Sequence, residues 1–235
     1  MRWVRRISQG IFLLLFLFLF LQTESKGKDE LGYPVKIFLD FDPLIFLSTF
    51  LSSKSLVGLF YLSVITVLIT IILGRVFCGW VCPLGTINNM VSVFKSRNLN
   101  PPKKKNHSLK YYILIFILIS SFLTIQLTGL IDPISLVIRS FSISIYPAFN
   151  YVVKSLFDTV YNLNIKGFSE FLEIVYSFLK KTILSFEQPF YKQGFFIGSI
   201  FFFILGLNLI ENRFWCRYLC PLGALLGLFS KFSFL

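Results

Sequence analysis

Apolar residues in this chain come in long runs. Residues 56–73, 109–130 and 194–210 are each near the length that crosses a bilayer as a helix, so they predict three membrane spans. A fourth run, residues 11–21, is eleven residues long and follows Arg2, Arg5 and Arg6. That profile fits either an anchor helix or the core of a secretory signal. No small-x-small cleavage pattern follows, since the chain continues Gln22-Thr23-Glu24-Ser25, and the reading adopted is an uncleaved anchor helix. The pattern predicts an all-α integral membrane protein with about four transmembrane helices.

Composition agrees with this reading. The chain is 55% hydrophobic and 14% charged, whereas an ordinary soluble domain is about a quarter charged. Phenylalanine supplies 30 residues, greasy surface without a hydrogen-bonding handle. The net charge of +12 would point to nucleic acid in a soluble protein, but its placement says otherwise. Residues 95–110 carry Lys95, Arg97, Lys103, Lys104, Lys105 and Lys110 around Pro101-Pro102, with no acid among them. By the positive-inside rule this loop is cytoplasmic, which puts the basic N-terminus and the helix ends at Arg75 and Arg213 on the same side. Membrane lipid is then the implied partner, nucleic acid is not, and the location is the inner membrane. Residues 131–193 fall outside; their amphipathic pieces read as surface helices in a structural cap.

A repeat supplies the chemistry. Arg75-Val-Phe-Cys78-Gly-Trp-Val-Cys82-Pro83-Leu-Gly85 matches Arg213-Phe-Trp-Cys216-Arg-Tyr-Leu-Cys220-Pro221-Leu-Gly223. Upstream, Asp42-Pro43 precedes the first copy and Asp132-Pro133 the second, so each copy reads Asp-Pro, one span, then the cysteine motif. Two parallel pseudo-symmetric repeats follow, with both cysteine pairs at one depth on the cytoplasmic edge. The organisation predicted is an anchor or signal-like segment at 1–30, a first membrane repeat at 31–94, the basic loop at 95–110, and a second repeat at 111–235 with an external insertion at about 140–193.

The motifs use all 4 cysteines of the chain. Cysteines four apart on a helix share a face, and a proline after the second one breaks the helix there and starts a new one. Four thiolates at one locus are the ligand set of a zinc or iron–sulfur centre. Arg75 and Arg213, three residues ahead of each first cysteine, either offset the charge of such a centre or anchor helix ends. Asp42 and Asp132 read as helix caps, with a quinone or proton role as the alternative. Trp80, Trp215 and Tyr218 flank the cysteines, as interfacial anchors or as a shield against water. His107 falls in the basic loop and reads as solvated.

The pair Cys78-Gly-Trp-Val-Cys82-Pro83-Leu-Gly and Cys216-Arg-Tyr-Leu-Cys220-Pro221-Leu-Gly resembles the membrane iron–sulfur proteins of the NapH and NosR type, often called polyferredoxin-like. The resemblance runs from about Asp42 to Phe229. It implies an iron–sulfur cluster, 4Fe-4S by the family label with 2Fe-2S also open to four cysteines, held by Cys78, Cys82, Cys216 and Cys220. It also implies electron transfer between the quinone pool and a redox partner, as a subunit of an oxidoreductase system. Such proteins commonly continue into a ferredoxin module, and no Cys-x-x-Cys-x-x-Cys-x-x-x-Cys-Pro run is present here. A longer parent chain, a separate ferredoxin-type subunit, or a membrane unit acting alone each accommodates that departure. Two other function classes fit the four cysteines: a quinone-coupled thiol–disulfide oxidoreductase, and a zinc- or copper-binding membrane protein.

Overall fold

The computed structural model describes residues 2–22, 36–53, 60–74, 77–93, 108–162, 194–211 and 213–232. Regular structure among them is helical throughout, with no strand. The elements are α1 (Arg2–Gln22), α2 (Lys36–Asp40), α3 (Pro43–Ser53), α4 (Phe60–Leu73), the π-turn π1 (Phe77–Val81), and α5 (Pro83–Val93). They continue with α6 (Leu109–Phe122), α7 (Thr128–Ile131), α8 (Pro133–Ser140), π2 (Phe141–Ile145), α9 (Tyr146–Asn162), α10 (Gly194–Ile210), π3 (Trp215–Leu219) and α11 (Pro221–Phe229). A 3₁₀ turn, Ser230–Phe232, closes the described chain.

Proline sets much of this pattern. Pro43, Pro83, Pro133 and Pro221 each stand at the first position of a helix, where a fixed φ is helical already and the missing N–H has no intrahelical partner to lose. The residue before a proline is pushed to extended backbone, as at Asp132 (ψ 134°) and Cys220 (ψ 113°). Two of the four helices are thereby capped by aspartate and two by cysteine. Asp132 accepts hydrogen bonds from the Ile134 and Ser135 N–H groups, both at 3.0 Å, and Asp42 accepts from Leu44 N–H at 2.8 Å. The two carboxyl groups are fully buried and close enough to interact with one another. Asp42 Oδ2 and Asp132 Oδ1 are buried without a hydrogen-bond partner among the described residues.

The core gathers around these helix starts. α3 packs on α4 and α6, and α11 packs on α6, α4 and α3. On the other side α1 lies against π1 and α5, and α10 against α5, α8 and π2. Phe16, Phe20, Phe38, Phe141, Tyr146 and Phe201 interlock α1, α2, π2, α9 and α10 through edge-on ring contacts. Gly194 and Gly198 let α10 approach π2 closely: a Cβ at Gly194 would stand 2.5 Å from the Ile143 carbonyl oxygen, and one at Gly198 would overlap Ser144.

The predicted spans come out differently in three respects. The helix at 109–130 runs for only 14 residues, about 21 Å at 1.5 Å per residue, while the described part of 56–73 is helical from Phe60 to Leu73. α4 ends at Gly74 (φ 72°) and α6 just before Thr124 (φ 65°), where the left-handed backbone turns the chain. Two stretches of helix, Trp3–Leu21 and Pro133–Thr159, are long and apolar enough to cross a membrane. The second of these runs through the segment expected to form external surface helices. Thirdly, α3, which follows Asp42, is a helix of its own that packs against α4. Arg75, His107, loop residues 94–107 and the part of the expected 140–193 insertion that follows Asn162 lie outside the described residues.

Candidate metal centre

Both cysteine motifs adopt the same local structure. The Cys82 N–H donates to the Phe77 carbonyl at 3.1 Å and the Cys220 N–H to the Trp215 carbonyl at 2.9 Å, five residues back in each case. These are π-turns, a form that recurs at functional sites. Each turn ends at a cysteine in front of a proline-led helix. The thiol then faces the new helix's free N–H groups: Gly223 N–H donates to Cys220 Sγ at 3.3 Å, and Gly85 N–H bonds to Cys82 in the same way.

All four cysteines are free thiols and line one cavity of about 450 Å³. Lys110, Tyr111, Pro133, Arg217 and Gly223 complete its wall. Burial pushes the Cys82 and Cys220 thiols well above their usual range, and the neighbouring cysteines push them further. Burial raises Cys216 as well, opposed by the charge of Arg213 and a hydrogen bond from Asn88. Thiols this crowded and desolvated give up their protons to a cationic centre that takes the protons' place.

The chemistry around the cavity suits an anionic four-thiolate cluster. Pro133, Cys82 and Cys220 bring the N-termini of α8, α5 and α11 to it, and Asp42, beside Asp132, brings α3 alongside. Helix N-termini favour negative charge. Lys110 is buried with its ammonium 5.1 Å from the Tyr111 ring centroid, and Arg213 Nη2 is buried with no hydrogen-bond partner among the described residues. A tetrahedral zinc ion would draw its four sulfurs to about 3.8 Å of one another, given a Zn–S bond near 2.3 Å. Among the described residues no three His, Cys, Asp or Glu side chains are gathered closely enough to hold a single ion.

Of the residues singled out from sequence, Cys78, Cys82, Cys216 and Cys220 come together, with Arg213 acting on Cys216. Asp132 lies close enough to act electrostatically on Cys82. Trp80 sits half-buried between the cysteines of π1 and is not part of the cavity wall, while Trp215 packs on the core. Tyr218 donates to Glu211, which also pairs with Arg217 at 2.9 Å.

Sequence reasoning missed four residues. Lys110 was counted with the basic loop, yet it stands on α6 facing the thiols. Arg217 interrupts the motif where the first copy has Gly79, and a charge present in only one copy was the available signal. Asn88 donates to Cys216 from the opposite motif. Gln9, buried on α1, donates to the Gly79 carbonyl at 2.6 Å and accepts from Asn89 at 3.1 Å, tying the first helix to π1.

The motif glycines give an asymmetric prediction. A Cβ on Gly85 would meet the Cys78 carbonyl oxygen at 2.8 Å, whereas one on Gly223 stands 3.4 Å from the Cys216 oxygen. Gly85→Ala therefore forces α5 off π1 and costs about 1–3 kcal/mol, while Gly223→Ala costs less than about 1 kcal/mol. Denaturation of the two variants in detergent, followed by helical signal, checks the order; equal losses would contradict it.

Residues 56–102 and 193–235 match a 4Fe-4S binding domain family. An uncharacterized protein of Methanocaldococcus jannaschii is 29% identical over 71% of this chain and 53% of its own length. The ferredoxin-type protein NapH of Escherichia coli is 27% identical over 81% of this chain and 51% of its own, and NapH of Haemophilus influenzae 26% over 72% and 43%. The chain thus spans about half the length of the curated relatives it matches. No solved structure matches it. Both cysteine pairs fall inside the two segments that match the 4Fe-4S binding domain, all four thiols line one cavity, and over most of its length the chain is similar to ferredoxin-type NapH proteins.

Proposed function

We propose that this chain relays electrons within the membrane, between the quinone pool and a ferredoxin-type redox partner, through one 4Fe-4S cluster held by Cys78, Cys82, Cys216 and Cys220. The observation that carries the reading is the single cavity lined by all four thiols, two from each matched motif. Bound there, the cluster supplies one-electron redox chemistry at a potential set by its surroundings. The chain's own residues supply those surroundings. Backbone N–H groups of Gly85 and Gly223 donate to the second cysteine of each pair, and Lys110 and Arg213 balance charge.

The membrane setting rests on the long apolar helices, on the shorter apolar helices at Pro43–Ser53, Tyr61–Leu73, Leu109–Phe122 and Gly194–Asn208, and on the large exposed hydrophobics of α1, α4, α6 and α10. In this reading the chain is inserted as two parallel repeats in an inner membrane, with the basic loop and cysteine motifs toward the cytoplasm. Lys110 begins α6 at the end of that basic loop and also faces the thiols, which supports the cytoplasmic edge for the site. Anaerobic purification in detergent, with iron and acid-labile sulfide analysis and electron paramagnetic resonance of the reduced protein, tests the proposal. A cubane signal with matching iron and sulfide is expected; protein that stays iron-free after cluster reconstitution would sink it.

A further inference from the structure

The two motifs share local geometry but not their hydrogen bonds across the cavity. Asn88 on α5, with no solvent exposure, directs its Nδ2 at Cys216 Sγ of the opposite motif, 4.0 Å away. The amide is held from behind. Asn208 on α10, also buried, donates through Nδ2 to the Asn88 carbonyl and accepts the Arg213 N–H at 2.6 Å. Arg213 has φ 58°, a left-handed conformation that is uncommon for a non-glycine residue. Asn208 thereby links the helix bearing Asn88 to the residue that leads into π3. Six residues after Cys82 comes Asn88; six after Cys220 comes Leu226, which has no donor to offer.

An N–H group aimed at a thiolate sulfur stabilises the more negative state of a cluster more than the less negative one, and hydrogen bonds to ligand sulfurs are among the determinants of cluster potential. We propose that Asn88 is a redox-tuning residue, a donor from the first motif to the Cys216 thiolate of the second that raises the cluster's midpoint potential. The proposal rests on the iron–sulfur reading above and specifies which side chain of this chain adjusts that site.

The test is a mediated redox titration of the reconstituted protein in detergent, in which each reduction adds one electron from dithionite and breaks no bond. Asn88→Leu copies the second motif's residue with the same branching and no donor, and Asn88→Ser shortens the side chain beyond reach of the sulfur. Reduction is expected to become about tenfold less favourable in both, a fall of about 59 mV for one electron. The wild-type potential in either variant that assembles a cluster overturns the proposal. Loss of iron from both variants would assign Asn88 to cluster assembly and overturn it equally. Failure of the wild-type chain to bind iron defeats the underlying reading instead, which separates the two outcomes.

Discussion

Replacing Cys82 by serine, or Cys220 by serine, is expected to bring iron and acid-labile sulfide to background and to erase the reduced-state signal. Changes in groups that only support a metal ligand already cost about 10–100-fold in metal affinity, so losing a ligand costs more than roughly a hundredfold. The two substitutions should act alike, because both cysteines cap proline-led helices, both accept a backbone N–H, and both face the same cavity. This equality is the discriminating result. If each motif formed its own site, Cys82→Ser would leave Cys216 and Cys220 loaded, and about half the iron would remain. Parallel iron and sulfide assays on the two variants read the difference directly.

The second large effect lies at the carboxyl pair. Asp132→Ala removes the acceptor for two helix N–H groups and leaves Asp42 buried without its neighbouring carboxyl. Losing a cap costs about 0.5–2 kcal/mol, and a buried polar group left unsatisfied costs a further 1–3 kcal/mol or so. About 3 kcal/mol is therefore expected for Asp132→Ala. Asp42→Asn should lose less than about 1 kcal/mol, because its amide still accepts from Leu44 N–H and carries a donor of its own. Denaturation in mixed micelles, followed by helical signal, measures both. An Asp132→Ala variant as stable as the parent, or an Asn variant as damaged as the Ala one, would remove the pair from the list of structural keystones.

The motifs were the legible part. Cys78 and Cys82, Cys216 and Cys220, and the helix starts at Pro83 and Pro221 stand in the linear code, because a proline's restriction on its neighbours is local and needs no tertiary context. Helix capping by Asp42 and Asp132 was equally local. The residues missed were those whose role depends on a partner far along the chain. Asn88 reaches a cysteine 128 residues away, and Gln9 a carbonyl 70 residues away. Nothing next to either residue in sequence marks it, and the repeat hides Asn88 by placing leucine at the matching site.

Span lengths failed for a related reason. Hydropathy sees a run of apolar residues and counts it as one rod. It does not see the left-handed backbone at Thr124 that ends α6 after 14 residues, nor the π-turn that carries α8 on into α9 as one apolar stretch.

By itself the sequence determined that this protein is helical and greasy, that it repeats one cysteine motif, and that each motif breaks at its second thiol. Those properties follow from side-chain polarity and from proline, both written residue by residue. Tertiary structure alone decided that the two motifs share one cavity, that Asp42 meets Asp132, and that Lys110 turns inward. Each is a contact between elements distant in the chain, fixed only when the helices pack and leave a cavity at the starts of α5, α8 and α11.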